Sequence, residues 1–125
     1  MSQDVSTITK EELSLILEDG SLVIVDVRIN WAASDRKIKN AVRQDPNAVG
    51  EWMGKYDPSQ PIVLYCSTPQ EQTSREVARQ LQATGFEQVK ILQGGWVVWE
   101  AAGLATQRRL KEPLPEGLIK DVIKD

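Results

Sequence analysis

The chain has 125 residues, 41% of them hydrophobic and 26% charged, with a formal net charge of −3. That length fits one domain with a single core, the composition excludes a disordered chain, and the acidic balance argues against a nucleic-acid binder, which carries a basic face. Histidine is absent and there is one cysteine, Cys66, so Ser-His or Cys-His catalysis, an intrachain disulfide and a zinc cluster are excluded within this chain.

Residues 1–6 are polar and lack the basic start and apolar middle of a signal peptide. No apolar run approaches the ~18 residues of a membrane span. The expectation is a cytoplasmic protein without direct membrane insertion, with no cofactor and no metal.

Taken in order, Thr9-Lys10-Glu11-Glu12 fits a capping box with Thr9 as N-cap. Leu13, Ile16 and Leu17 then give an apolar stripe at helical spacing, and Gly20 is the natural stop. Residues 21–28 are β-branched and nearly all apolar, which suits a strand covered on both faces; Asp26 and Arg28 fall at its end, where α/β folds place ligand-binding residues. Residues 30–40 read as loop, Ala41-Val42-Arg43 as a very short strand, and a helix begins at Pro46-Asn47 and runs through Val49, Trp52 and Met53. Residues 57–61 form a turn. A second strand, 62–65, ends at Cys66.

A polar loop follows, Ser67-Thr68-Pro69-Gln70-Glu71-Gln72-Thr73-Ser74, then a helix carrying Val77, Ala78 and Leu81 that stops at Gly85. Residues 88–92 are the last predicted strand. Gly94-Gly95 makes a turn that needs positive φ, and Trp96, Val97, Trp99 and Ala102 mark a helix ended by Gly103. Strands alternating with helices predict an α/β fold, a central mostly parallel sheet with helices on both faces. The domain is expected over residues 1–104. Residues 105–125 read as a linker, including Gln107-Arg108-Arg109, and a short helix striped with Leu118, Ile119, Val122 and Ile123. That helix is too short to stand alone; docking on its own domain is the favoured reading, a homodimer contact the alternative.

Cys66 closes a strand and opens a polar loop that runs into a helix. Loop amides and a helix N-terminus favour an anion, and a thiolate or persulfide is one. The same geometry makes the sulfur nucleophilic. Thr73 and Ser74 suit N-cap positions, with hydroxyls in reach of the sulfur. Glu71 is read as capping the helix that follows rather than pointing at the sulfur. Asp26 and Arg28 are read equally as a structural ion pair or as substrate-binding groups.

At these residues the chain resembles the rhodanese-like domain family. The pieces occur in order: Thr9 to Leu13, Val25-Asp26-Val27-Arg28, Leu64-Tyr65-Cys66, Gly85-Phe86, Leu92-Gln93-Gly94-Gly95-Trp96 with Trp99, and Ala102-Gly103. The resemblance implies a small parallel α/β fold in which Cys66 accepts a sulfane sulfur, becomes a persulfide and passes the sulfur to a thiol or another thiophile. The usual family loop has Cys, four residues, Arg, then Ser or Thr. Here the loop is two residues longer, with Ser74 in the last position and Thr73 where the Arg belongs. It looks like a subgroup reading Cys-x-Cys-Pro-x-Glu-x-Thr/Ser-Ser, with Thr68 in place of the second cysteine. Without the Arg, a thiosulfate dianion loses a bidentate clamp; Arg28, Arg36 or Lys37 are candidates to replace it.

The leading expectation is a sulfurtransferase weak on thiosulfate, its partners a sulfur donor, such as a protein persulfide, and a thiol acceptor. The alternative is a catalytically weak or inactive binding or regulatory module. A phosphatase or arsenate reductase ranks last, because phosphoryl transfer needs cationic clamps.

Overall fold

The apolar, β-branched segments of the sequence pair side by side into one parallel sheet. In a computed structural model, which describes residues 5–67 and 70–109, the strands are Ser6–Ile8 (β1), Val23–Asp26 (β2), Arg36–Ile38 (β3), Val42–Arg43 (β4), Ile62–Tyr65 (β5), Val89–Leu92 (β6) and Thr106–Arg108 (β7). The helices are Lys10–Leu15 (α1), Val49–Trp52 (α2), Gln72–Ala83 (α3) and Gly95–Ala101 (α4), with single 3-10 turns at Trp31–Ala33 and Met53–Lys55. The main sheet runs β1-β6-β5-β2-β4, and every pairing in it is parallel.

β5 is the middle strand, and all four of its residues are buried. A strand covered on both faces cannot alternate polar with apolar, which is why Ile62-Val63-Leu64-Tyr65 is continuously apolar or aromatic. Its side chains alternate between two clusters. Ile62, Leu64 and Cys66 join Val77, Ala78 and Leu81 of α3 and Val49 and Trp52 of α2. Val63 and Tyr65 join Leu13 of α1 and Trp96 and Trp99 of α4. Helices therefore cover both faces, as the alternating pattern predicts.

Several boundaries depart from the sequence reading. The capping box forms: Glu12 N–H donates to Thr9 Oγ1 at 3.1 Å, and Thr9 N–H donates to Glu12 Oε1 at 3.0 Å. Yet α1 ends at Leu15, ahead of Gly20, and of the stripe only Leu13 and Leu17 are buried, while Ile16 is exposed. With no basic residue in its last turn and no glycine at its end, nothing local prolongs the helix. α2 starts at Val49, two residues after Asn47.

The stretch 30–40 is not wholly loop, because β3 lies within it. β3 pairs antiparallel with β7 in the register Arg36↔Arg108, Lys37↔Gln107, Ile38↔Thr106. Residues 88–92 are accordingly not the last strand, and Gln107 and Arg108 are paired strand rather than linker. Neither segment shows alternation long enough to signal a strand alone; each is specified by the other. The predicted helix around Leu118 to Ile123 lies outside the described residues.

Candidate active site

Two neighbouring strands deliver the predicted functional residues to one edge. β2 and β5 are paired in the register Val25↔Leu64, Asp26↔Tyr65. Chains leaving the carboxyl ends of adjacent parallel strands emerge together, so Arg28 and Cys66 begin neighbouring loops. The Val27 N–H donates to the Tyr65 carbonyl at 3.0 Å and holds the two exits side by side.

Cys66 sits with the apolar cluster beneath α3 and is 5% exposed. Its sulfur lies 3.4 Å from Ser74 Oγ, and Ser74 Oγ also lies 3.2 Å from the Glu71 carbonyl, to which it donates. Above the sulfur opens a cleft of about 290 Å³, lined by Ile29, Asn30, Cys66, Ser67, Gln70, Gln72 and Thr73. The lining is polar but uncharged: carboxamides and hydroxyls around one isoleucine. Ser67 Oγ donates to Asn30 Oδ1 at 3.2 Å, joining the two strand exits across the cleft. Thr68 and Pro69 lie outside the described residues.

Glu71 occupies the N-cap position of α3 in a left-handed conformation, φ 58°. Thr73 and Ser74 are therefore not N-caps; they stand inside the first turn. Nor does the Glu71 side chain cap the helix. It is 7% exposed, and its carboxylate is held elsewhere: Oε2 accepts from Gly94 N–H at 2.6 Å, and Oε1 from Arg75 Nη2 at 3.2 Å. Among the described residues, no side chain caps the first-turn amides of α3. Helix geometry gives such amides no intrahelical partner.

The opening of α4 completes the loop's attachments. Trp96 N–H donates to the Cys66 carbonyl at 2.8 Å, and Val97 N–H to the Ser67 carbonyl at 3.3 Å. Gly94 and Gly95 have φ of 88° and 69°, as the turn expectation requires. At Gly94 a Cβ would also collide with the Val98 side chain.

Asp26 and Arg28 belong to a different cluster and form the expected ion pair, while Arg28 also lines a larger groove beside the cysteine cleft. Each is 2% exposed. Arg28 donates from Nε to both Asp26 oxygens at 3.0 Å, from Nη2 to Oδ2 at 2.6 Å and from its backbone N–H to Oδ1 at 3.0 Å. Nη2 also reaches the Arg36 carbonyl at 3.0 Å. The guanidinium lies 4.7 Å from the Trp96 ring and 5.5 Å from the Tyr65 ring. Tyr65 O–H donates to Asp26 Oδ2 at 3.0 Å and accepts from Ile38 N–H at 3.2 Å. Burial first, and the Asp26 charge second, push the Tyr65 phenol far above its ordinary range.

The other candidate cations are also committed. Arg36 Nε donates to Thr106 Oγ1 at 2.8 Å, and Lys37 Nζ to the Ala41 carbonyl at 2.5 Å. Arg43, whose affinity for its proton is lowered by burial, lies 5.0 Å from the Trp31 ring and donates to the Arg28 carbonyl. Arg109 stacks on the same indole at 4.5 Å and lines a larger neighbouring groove of about 730 Å³ that shares Asn30 and Ser67 with the cysteine cleft. No cationic side chain lines the cleft among the described residues.

The sequence profile of the Rhodanese-like domain matches residues 9–102. The chain belongs to the rhodanese-like domain family. Among curated relatives, the thiosulfate sulfurtransferase GlpE of Coxiella burnetii is 30% identical over 86 residues, covering 69% of this chain and 78% of the relative. The rhodanese-like domain of an Anabaena protein superposes with a TM-score of 0.71 at 23% identity, covering 90% of this chain and 86% of that one. A Lactobacillus plantarum protein gives 0.74 at 22%, covering 82% and 87%. These two likenesses are of fold.

Within this rhodanese-like frame, Asn30, Ile29 and Gly94 are site residues that sequence reasoning missed. The signal for the first two was available, since two parallel strands with their ends level put residues 29–30 beside residue 67. Gly94 had none, because its bond to Glu71 spans 23 positions.

Proposed function

We propose that this protein is a sulfurtransferase that carries sulfur on Cys66. The observation that supports this best is the placement of the sulfur: at the floor of a polar cleft, beside a hydroxyl, at the start of a twelve-residue helix. In the first half-reaction the Cys66 thiolate attacks the outer sulfur of a donor. A Cys66 S–S bond forms, the donor's S–S bond breaks, and the donor leaves as its thiolate or as sulfite. In the second, an acceptor thiolate attacks the outer sulfur of the persulfide and departs as R–S–S⁻, returning Cys66 as thiolate.

Ser74 supports both anions. Its hydroxyl has one proton. With a neutral thiol, the chain runs from S–H to Ser74 Oγ, and from Ser74 O–H to the Glu71 carbonyl. With a thiolate, the Ser74 proton turns to the sulfur. Charge-assisted bonds are the stronger ones, so this rotation favours the reactive form.

The uncharged lining favours donors with little negative charge. A persulfide fits better than a dianion, and the missing cation also argues against phosphoryl transfer. The test is the intact mass of the pure protein after incubation with a low-molecular-weight persulfide. We expect a gain of ~32 Da, the outer sulfur on a nucleophilic thiolate, that is reversed by a free thiol and lost in Cys66→Ala. No adduct, or one that survives the substitution, ends this reading. The low exposure of Cys66, 5%, favours a second one, a binding module without turnover, and the same measurement separates the two.

A further inference from the structure

We infer that the Glu71–Arg75 pair sets donor selectivity by withholding a cation from the cysteine cleft. The inference rests on the sulfurtransferase reading above and asks which donors that site accepts. Three observations carry it. Glu71 is a buried carboxylate that the sulfur transfer itself does not use. Its neighbours in sequence, Gln70 and Gln72, both line the cleft. And Arg75, one turn into α3, is tied back to Glu71 Oε1 at 3.2 Å while a third of its side chain remains exposed.

Consider what the cleft would be without that tie. A thiosulfate dianion that gives its outer sulfur to Cys66 breaks its S–S bond and leaves as sulfite, itself a dianion. Binding and departure both ask for positive charge nearby. Arg28, Arg36, Lys37 and Arg43 are each bound into other contacts. Arg75 is the guanidinium paired to the active-site loop itself, and its partner is an acid in that loop. The pair is neutral as a unit, so Arg75 adds no net positive charge beside the cleft.

Glu71 has a second attachment, the 2.6 Å bond from Gly94 N–H, which joins the loop to the opening of α4. Glu71→Gln separates the two roles. A carboxamide oxygen still accepts from Gly94, but the charge that holds Arg75 is gone. Glu71 is therefore a positioning residue: it acts on the donor through Arg75.

The experiment measures turnover with thiosulfate and with cysteamine persulfide, whose ammonium offsets its persulfide charge, each with cyanide as acceptor, in wild type, Glu71→Gln, Arg75→Ala and the double variant. Glu71→Gln is expected to lower the KM for thiosulfate about threefold to tenfold, the range of one freed and partly screened charge. The ratio of thiosulfate to persulfide efficiency rises, and the gain shrinks in high salt. In the double variant the gain disappears. A purely structural Glu71 would lower both donors together and leave their ratio unchanged; that result overturns the inference, as does a gain that persists without Arg75. If wild type takes up no sulfur from either donor, it is the sulfurtransferase reading that fails, and the ~32 Da mass shift reports this separately.

Discussion

Two polar clusters stand side by side at the carboxyl ends of β2 and β5, and they are built on opposite plans. Around Arg28 the backbone N–H, Nε and Nη2 are held by Asp26 and the Arg36 carbonyl, and two aromatic faces flank a guanidinium that is 2% exposed. Around Cys66 the opposite holds, with a cleft of about 290 Å³, neutral side chains and a helix start without a side-chain cap. The bonds between Arg28 and Asp26 make the first a clamp, because removing either partner leaves a buried charge uncompensated. The second opens into a cleft at the sulfur. Position at a strand end is therefore not enough to mark a functional residue; what already holds the side chain matters as well.

The comparison is most easily broken at Arg28. Arg28→Ala leaves the buried Asp26 carboxylate with Tyr65 O–H and the more distant Arg43, at 3.9 Å, and should cost about 3–5 kcal/mol of stability, the usual penalty for removing half of such a pair. Urea unfolding monitored by tryptophan fluorescence measures it. A loss under 1 kcal/mol, with sulfur loading abolished, would turn Arg28 into a ligand residue and erase the distinction.

Gly94→Ala attacks the other cluster through its backbone. The position has φ 88° and Val98 occupies the place of a Cβ, so we expect about 1–3 kcal/mol of destabilisation together with slower sulfur loading. The loading defect matters more than the stability loss, since it would show that the α4 opening holds the Cys66 loop in register.

Alkaline pH probes the clamp without mutation. The Tyr65 phenol is raised above its ordinary value by burial and by Asp26. Its proton is thus lost from the unfolded chain first. Tyr65 contributes full stability below pH ~10 and loses about 1.4 kcal/mol per pH unit above it. In Tyr65→Phe that portion of the alkaline slope should vanish. An unchanged slope would mean the phenol is not the group responsible.

The smallest expected effect is at Ser74. Ser74→Ala removes the one described hydroxyl at 3.4 Å from the sulfur and should slow sulfur loading roughly fivefold to tenfold, one hydrogen bond's worth. Ser74→Thr, which keeps the hydroxyl, should restore much of the rate.

Much of this was legible in the residues themselves. The run Ile62 to Tyr65 announced a strand buried on both faces, with Cys66 at its end. The capping box at Thr9 formed as written. What escaped notice was whatever depended on a distant partner. Arg36-Lys37-Ile38 becomes a strand because Thr106-Gln107-Arg108 lies against it, and neither run is distinctive alone. Thr73 looks like an N-cap in sequence, but the left-handed turn at Glu71 starts the helix two residues earlier than that reading allows.

Local chemistry thus determined the main strands, the family pattern and the place of the lone cysteine at a strand end, because periodicity and turn residues act over a few positions. Which charges surround the sulfur was decided only in three dimensions. Glu71, Arg75 and Gly94 meet across 23 positions of chain, and Arg28 is withdrawn from the cleft by a carboxylate on its own strand end and rings from β5 and α4. A guanidinium's availability depends on what has already bound it, and no one-dimensional spacing records that.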